Sequence, residues 1–303
     1  MEQDANKQEQ GKLKFLSTEL ILLWTLVLIV IPIAIFSTIN ESTTPDNVLM
    51  ILLISTCIVL IMLFASILLF RKLGERDHKA NYIISINIAI AIYHIISIMG
   101  IFFDRFFGVP DKVFTFIQPI IVLVGAIVAI RYYKLNLNLS GKFIEPGKVF
   151  LSISIGILFG LLFWTLKEPI VYLFSNTVLV FVAYTLLIGI SEEILFRFII
   201  FRLAEKAFAY KIAIWLQAVV FAGMHFISLK YILEYYKFTA TFFAETFYVS
   251  AILYFIALVM FGYVCGKLVG VRKTESFWEN GNIIYAIIVH WITNFITLFL
   301  FFM

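Results

Sequence analysis

The sequence predicts an all-α protein, a polytopic transmembrane helical bundle of about eight to nine spans with its chemistry between the late helices. Three observations carry this. Hydrophobic residues make up 62% of the 303-residue chain and charged residues 14%, at a mean hydropathy of +1.02. The apolar residues gather in runs of roughly 20, the length a helix needs to cross a bilayer. The charged residues fall almost wholly between those runs. A soluble domain cannot hide so much apolar surface.

Read in order, the runs are 16–38, 48–70, 83–103, 113–131, 149–166, 171–201, 211–228, 247–270 and 283–302. Residues 1–14 are polar, and no small-residue cleavage pattern follows the first run, so that run is expected to be a retained span rather than a signal peptide. His94, alone in the third run, is expected to be a hydrogen-bonded packing residue. Gln118-Pro119 is expected to bend the fourth. The sixth run is longer than one crossing needs, so its start is expected to be a turn around Ser175-Asn176 or a tilted segment. Cys57 and Cys265 fall inside runs and are expected to be buried free thiols, not a disulfide framework. The segment 229–246 is rich in Tyr and Phe and reads as an interfacial aromatic belt.

The connections alternate in basic charge. Counted by side, they hold 17 Lys and Arg against 5, with Arg197 left inside the sixth run. That bias predicts a cytoplasmic N-terminus and a C-terminus outside. The net charge of +4 points to no nucleic-acid partner, because the basic residues sit in short loops. The Ile- and Phe-rich composition suggests an AT-rich microbial genome and hence a prokaryotic cell membrane.

The chemistry concentrates in three late runs. From Pro169 to Phe201 the charged residues are Glu192, Glu193 and Arg197. Ionised groups at bilayer depth are costly, and they are placed where they face a protein interior or a wet cavity. Glu193 and Arg197 are four apart, so they share a helix face and can pair. Glu192 is turned about 100° away, with no local cation, and is the candidate working carboxylate. The seventh run ends in Phe221-Ala222-Gly223-Met224-His225. The ninth contains His290 and Asn294, again four apart on one face. Depths measured from the inner ends of the runs agree less well. Glu192 lies about 15 Å from Arg202 and His290 about 12 Å from Asn282, but His225 about 21 Å from Lys211.

Glu192-Glu193-x-x-x-Arg197, then Phe221-x-x-x-His225, then His290-x-x-x-Asn294, resembles the three-motif signature of the CAAX-protease and bacteriocin-processing (CPBP, or Abi) intramembrane proteases. The small-residue stretch Phe261-Gly262-Tyr263-Val264-Cys265-Gly266 before the last motif is also typical of that family. The resemblance spans about residues 150–300. Residues 146–303 then form the catalytic membrane domain, and residues 1–145, with about four helices, an accessory or substrate-gating layer.

The resemblance implies hydrolysis of a peptide bond in a membrane-associated protein or peptide, in a cavity open to the cytoplasm. Glu192, helped by His225, can orient and deprotonate a water. His290 and Asn294 can donate to the developing oxyanion. Glu193, Arg197 and Phe221 would hold these groups in place. Glu192, His225 and His290 also make a conceivable zinc set, but there is no His-Glu-x-x-His helix, and Asn is a poor zinc ligand and a good oxyanion donor. A glutamate-dependent mechanism without a cofactor is therefore favoured. Two other readings compete. One is a non-catalytic scaffold, regulator or bacteriocin-immunity protein on the same fold. The other is an ion-coupled transporter, which would also use buried Glu, Arg and His but predicts inverted repeats that the sequence does not show.

Overall fold

Among the described residues, each apolar run from 83–103 onward carries a helix, because in a chain this apolar the helix satisfies its own backbone polar groups. The structure, a computed structural model, describes residues 78–107, 111–133, 135, 144–165, 178–225, 244–269 and 282–301, with scattered helical positions between 54 and 68. The run 16–38, most of 48–70, and most of the aromatic segment 229–246 lie outside the described residues.

The helices are α1 (His78–Phe107), α2 (Asp111–Tyr133), α3 (Pro146–Thr165), α4 (Val178–Glu193), α5 (Phe201–Ala207), α6 (Tyr210–His225), α7 (Ala244–Val269) and α8 (Ile283–Phe301). A π-helical segment, Ile194–Ile200, joins α4 to α5 without a break. Local signals set several boundaries. Pro146 opens α3 at a position where its missing N–H costs nothing. Asn282 caps α8, its Oδ1 accepting from Ile284 N at 3.0 Å, while its own N–H donates to Leu268 O at the end of α7 at 3.0 Å. Pro119 lies inside α2, and the helix runs on through it.

The chain divides into two compact units, residues 1–109 with 203–210, and residues 110–202 with 211–303. In the first, Ile83 and Ile84 of α1 pack with Ala207, Tyr82, Ile88 and Phe208. Lys206 Nζ lies 5.4 Å from the Tyr82 ring centroid. His94 is fully buried.

In the second unit α8 is the central helix. It packs chiefly on α3 and then on α4, with α7 against α8, α3 and the π segment. α2 packs on α4 and the π segment. α3 meets α8 through Gly156 and Gly160, where an added methyl would fall 2.8 Å from Ile292 Cβ and 2.7 Å from Ile296 Cβ. Small residues at helix contacts let backbones approach closely where no hydrophobic force separates protein from lipid. The opposite faces carry exposed apolar residues, among them Val124 and Val128 on α2, Phe150 and Leu158 on α3, and Ile252 and Ile256 on α7. Apolar faces of this kind suit a bilayer. Among the described residues, Pro146–Thr165 and Ile252–Val269 are long and apolar enough to cross a membrane.

Two expectations need correction. Both cysteines are free, but Cys57 is exposed and only Cys265 is buried. Apolar neighbours in sequence do not by themselves imply burial in protein. The helix bearing the Glu pair also does not end near Phe201, but continues as α5 to Ala207.

Candidate active site

The site is assembled from four helical elements of the second unit. α4 ends on Glu192 and Glu193, the π segment supplies Arg197, α6 ends on His225, and α8 contributes His290 and Asn294. Glu192 touches both His225 and His290, so the three groups meet despite the depth mismatch expected from Arg202 and Lys211.

Glu192 faces both histidines. Its Oε2 lies 3.1 Å from His225 Nε2 and 3.5 Å from His290 Nε2. His225 Nδ1 lies 2.9 Å from Phe221 O. A carbonyl oxygen can only accept, so Nδ1 carries a proton there. The 3.1 Å contact on the other side of the ring then needs a proton of its own, held between Nε2 and the carboxylate. The side chains of Glu192 and His225 remain 13% and 17% exposed, so this edge of the site is reachable.

Glu193 lies deeper, fully buried like Arg197. Its Oε1 accepts from His290 Nδ1 at 2.7 Å and lies 3.2 Å from Arg197 Nη1. The latter is close enough for an ion pair but misaligned for a hydrogen bond, and among the described residues the guanidinium nitrogens have no hydrogen-bond partner. The cation is held instead by charge and by ring faces. Arg197 Cζ lies 4.0 Å from the Phe221 centroid, 5.7 Å from Phe261 and 5.8 Å from Phe196. A desolvated guanidinium over an aromatic face gains about 2 kcal/mol.

Phe221 is thus a hub. Its ring stacks on His225 at 4.1 Å, meets Phe196 edge-on at 5.1 Å and approaches His290 at 6.0 Å. Phe261 of α7 closes the wall, 5.2 Å from the His290 ring and 5.6 Å from Phe221. The structure brings Glu192, Glu193, Arg197, Phe221, His225 and His290 into contact. Asn294, half-buried, stands one turn beyond His290 on α8. Among the described residues, no group of three or more His, Cys, Asp and Glu is arranged to hold a metal ion. The two Nε2 atoms converge on Glu192 Oε2.

Sequence reasoning missed several features around these groups, although it singled out the stretch Phe261–Gly266 by its small residues. The π segment begins directly after Glu193, and its runs are frequent at functional sites. No helix breaker in Ile194-Leu195-Phe196-Arg197-Phe198-Ile199-Ile200 marks it. The aromatic wall of Phe261 and the buried Gln217 of α6 had no distinguishing pattern. The seats of α8 on α3 and of α6 on α7 could have been found, because Gly156-x-x-x-Gly160 and Gly262-x-x-x-Gly266 both have the spacing of close helix contacts.

No curated protein and no solved structure matches the chain. A family model does. Residues 174–296 match the family described as type II CAAX prenyl endopeptidase Rce1-like. That stretch contains Glu192, Glu193, Arg197, Phe221, His225, His290 and Asn294, and it agrees with the CPBP resemblance of the motifs. The part of this chain that builds the site is therefore similar to the Rce1-like domain, described as that of a type II CAAX prenyl endopeptidase.

Proposed function

We propose that the chain is a glutamate-dependent intramembrane endopeptidase. The observation that carries this reading is the meeting of Glu192 Oε2 with His225 Nε2 at 3.1 Å and His290 Nε2 at 3.5 Å, in a site that is mostly closed to solvent. A carboxylate and an imidazole sharing a proton form a pair that can accept another from water and later release it. In the reaction, a water bound at Glu192 attacks the scissile carbonyl carbon. Its proton passes to the Glu192–His225 pair. The oxyanion that forms is met by donors from Asn294 and from Nε2 of His290 as the imidazolium, its Nδ1–H being held by Glu193, each worth about 2.7–4 kcal/mol in such chemistry. The C–N bond then breaks as the pair protonates the leaving amine. Glu193, Arg197 and Phe221 keep His290 and His225 in place through the contacts described above.

The substrate in this reading is a membrane-associated protein or peptide. A prenylated CAAX C-terminus suits the family description, and in a bacterium a pheromone precursor or bacteriocin leader would fill the same role. Residues 146–303 carry the catalysis and residues 1–145 form an accessory layer. The site opens to the cytoplasm, with the N-terminus on that side and the C-terminus outside, after eight to nine crossings. The chemistry uses no metal. The competing zinc reading would place the ion on Glu192, His225 and His290.

The test is cleavage of a quenched prenyl-type peptide by detergent-purified protein, with and without chelator, beside Glu192→Ala. Cleavage lost in the variant and kept under chelator supports the reading. Loss of wild-type cleavage under chelator, restored by zinc, moves it to a metal enzyme. Full cleavage by Glu192→Ala overturns it.

A further inference from the structure

Both histidine-bearing helices are seated on glycine pairs, and in both seats a side-chain donor reaches a glycine carbonyl. On α6, Gln217 is fully buried. Its Nε2 donates to Gly262 O of α7 at 2.7 Å and to Ile214 O at 3.1 Å. The seat has no slack. A methyl at Gly262 would fall 2.9 Å from Ala218 Cα, and one at Gly266 would collide with Gln217 Nε2. On α8, Thr293 Oγ1 donates to Gly156 O of α3 at 3.2 Å, and Thr297 Oγ1 has its one hydrogen within reach of both Thr293 O at 2.8 Å and Gly160 O at 3.2 Å.

These donors stand in fixed relation to the site. Gln217, Phe221 and His225 follow at intervals of four along one face of α6. Thr293 sits next to Asn294 and three residues after His290. A buried polar side chain is costly in apolar surroundings unless its hydrogen bonds are made. Packing alone would be met by Met at 217 and Val at 293, which match these side chains in size. What the hydrogen bonds add is axial register. A helix held by close contact with glycines can still slide along its neighbour, and a bond to one carbonyl stops it.

We infer that Gln217 and Thr293 are positioning residues, which through the carbonyls of Gly262 and Gly156 fix the register of α6 and α8 and so the distances of His225 and His290 from Glu192. The consequence for turnover rests on the peptidase reading. The consequence for the two rings does not.

The test uses full-length protein in lipid nanodiscs with 15N-labelled histidine rings. The His225 and His290 signals are assigned by their loss in His225→Gln and His290→Gln. Gln217→Met is expected to shift the His225 ring signals and leave those of His290. Thr293→Val is expected to do the reverse, and Thr293→Ser to return the wild-type spectrum. In the cleavage assay Gln217→Met and Thr293→Val are expected to lower kcat about tenfold at unchanged KM, within the roughly hundredfold that a misplacement of about 1 Å can cost. Wild-type ring signals in both variants would overturn the inference. So would movement of both rings together in either variant with a lowered melting temperature, because that is general loosening. If the wild type cleaves no peptide, the peptidase reading fails by itself, and the ring signals still decide the register.

Discussion

His290 bridges the two adjacent carboxylates, with Nδ1 2.7 Å from Glu193 Oε1 and Nε2 3.5 Å from Glu192 Oε2. Neighbouring residues on a helix point in different directions, so two consecutive glutamates cannot share one local partner. A ring from another helix can touch both. Glu193 is thereby coupled to the chemistry it does not itself reach, since it orients the ring that faces Glu192. Arg197 enters through the same oxygen of Glu193, at 3.2 Å.

The first prediction follows from that burial. Glu193 and Arg197 are both fully buried, so removing one leaves the other uncompensated. Arg197→Met is expected to destabilise the fold by about 3–5 kcal/mol. The double variant Glu193→Gln with Arg197→Met is expected to recover most of the loss, because no lone charge remains. Denaturant unfolding in mixed micelles measures both. Equal destabilisation by the single and double variants would contradict the pairing.

Much of this arrangement was legible in the sequence, for a physical reason. Charged and polar residues are so costly at bilayer depth that each one marks a position. Glu192, Glu193, Arg197, His225 and His290 stood out against apolar runs and meet in the structure. Helix spacing gave the Glu193–Arg197 pairing, and run lengths gave the helices from α1 onward except α5. What stayed hidden was carried by apolar residues. Phe221 was marked by its motif, but the wall that Phe196 and Phe261 add around the guanidinium looks like any other core aromatic packing. The π segment changes hydrogen-bond pattern without a change in composition. Helix length also misled, because α5 continues past Arg202 through Leu203-Ala204-Glu205-Lys206-Ala207, where the charges imitate a membrane exit.

Glu192 and His225 are expected to act as one unit. Glu192→Gln keeps the side chain's shape but removes its basicity, and is expected to lower kcat by about 10²–10⁴. His225→Gln should cost a similar factor. The double variant should be little worse than either single one, because groups that share a proton fail together. Steady-state cleavage of the quenched prenyl-type peptide gives the three values. Multiplicative losses would mean that the two residues work in separate steps.

Asn294 tests the oxyanion assignment apart from the base. Asn294→Ala is expected to lower kcat by about 10²–10³ with KM nearly unchanged, since the interaction strengthens only as charge develops on the carbonyl oxygen. A rise in KM at constant kcat would reassign Asn294 to ground-state substrate binding.

The seat of α8 gives the last prediction, and it separates close contact from helix propensity. An alanine methyl at Gly160 would fall 2.7 Å from Ile296 Cβ and 3.1 Å from Thr293 O. The second neighbour is backbone and cannot turn aside, so α8 must move. Gly160→Ala is expected to cost about 1–3 kcal/mol, the usual penalty for overpacking a filled contact. Gly125, inside α2, has nothing within 4 Å of the same added methyl. There alanine only removes backbone freedom from the unfolded chain, and Gly125→Ala is expected to stabilise by about 0.5–1 kcal/mol. The two variants make the same chemical change in two helices of one unit, so opposite signs in thermal unfolding isolate the contact. Because Thr293 and His290 ride on the displaced helix, Gly160→Ala is also expected to lower cleavage, while Gly125→Ala leaves it at the wild-type rate. Stabilisation by both substitutions would mean that α3 and α8 are not in close contact at Gly160.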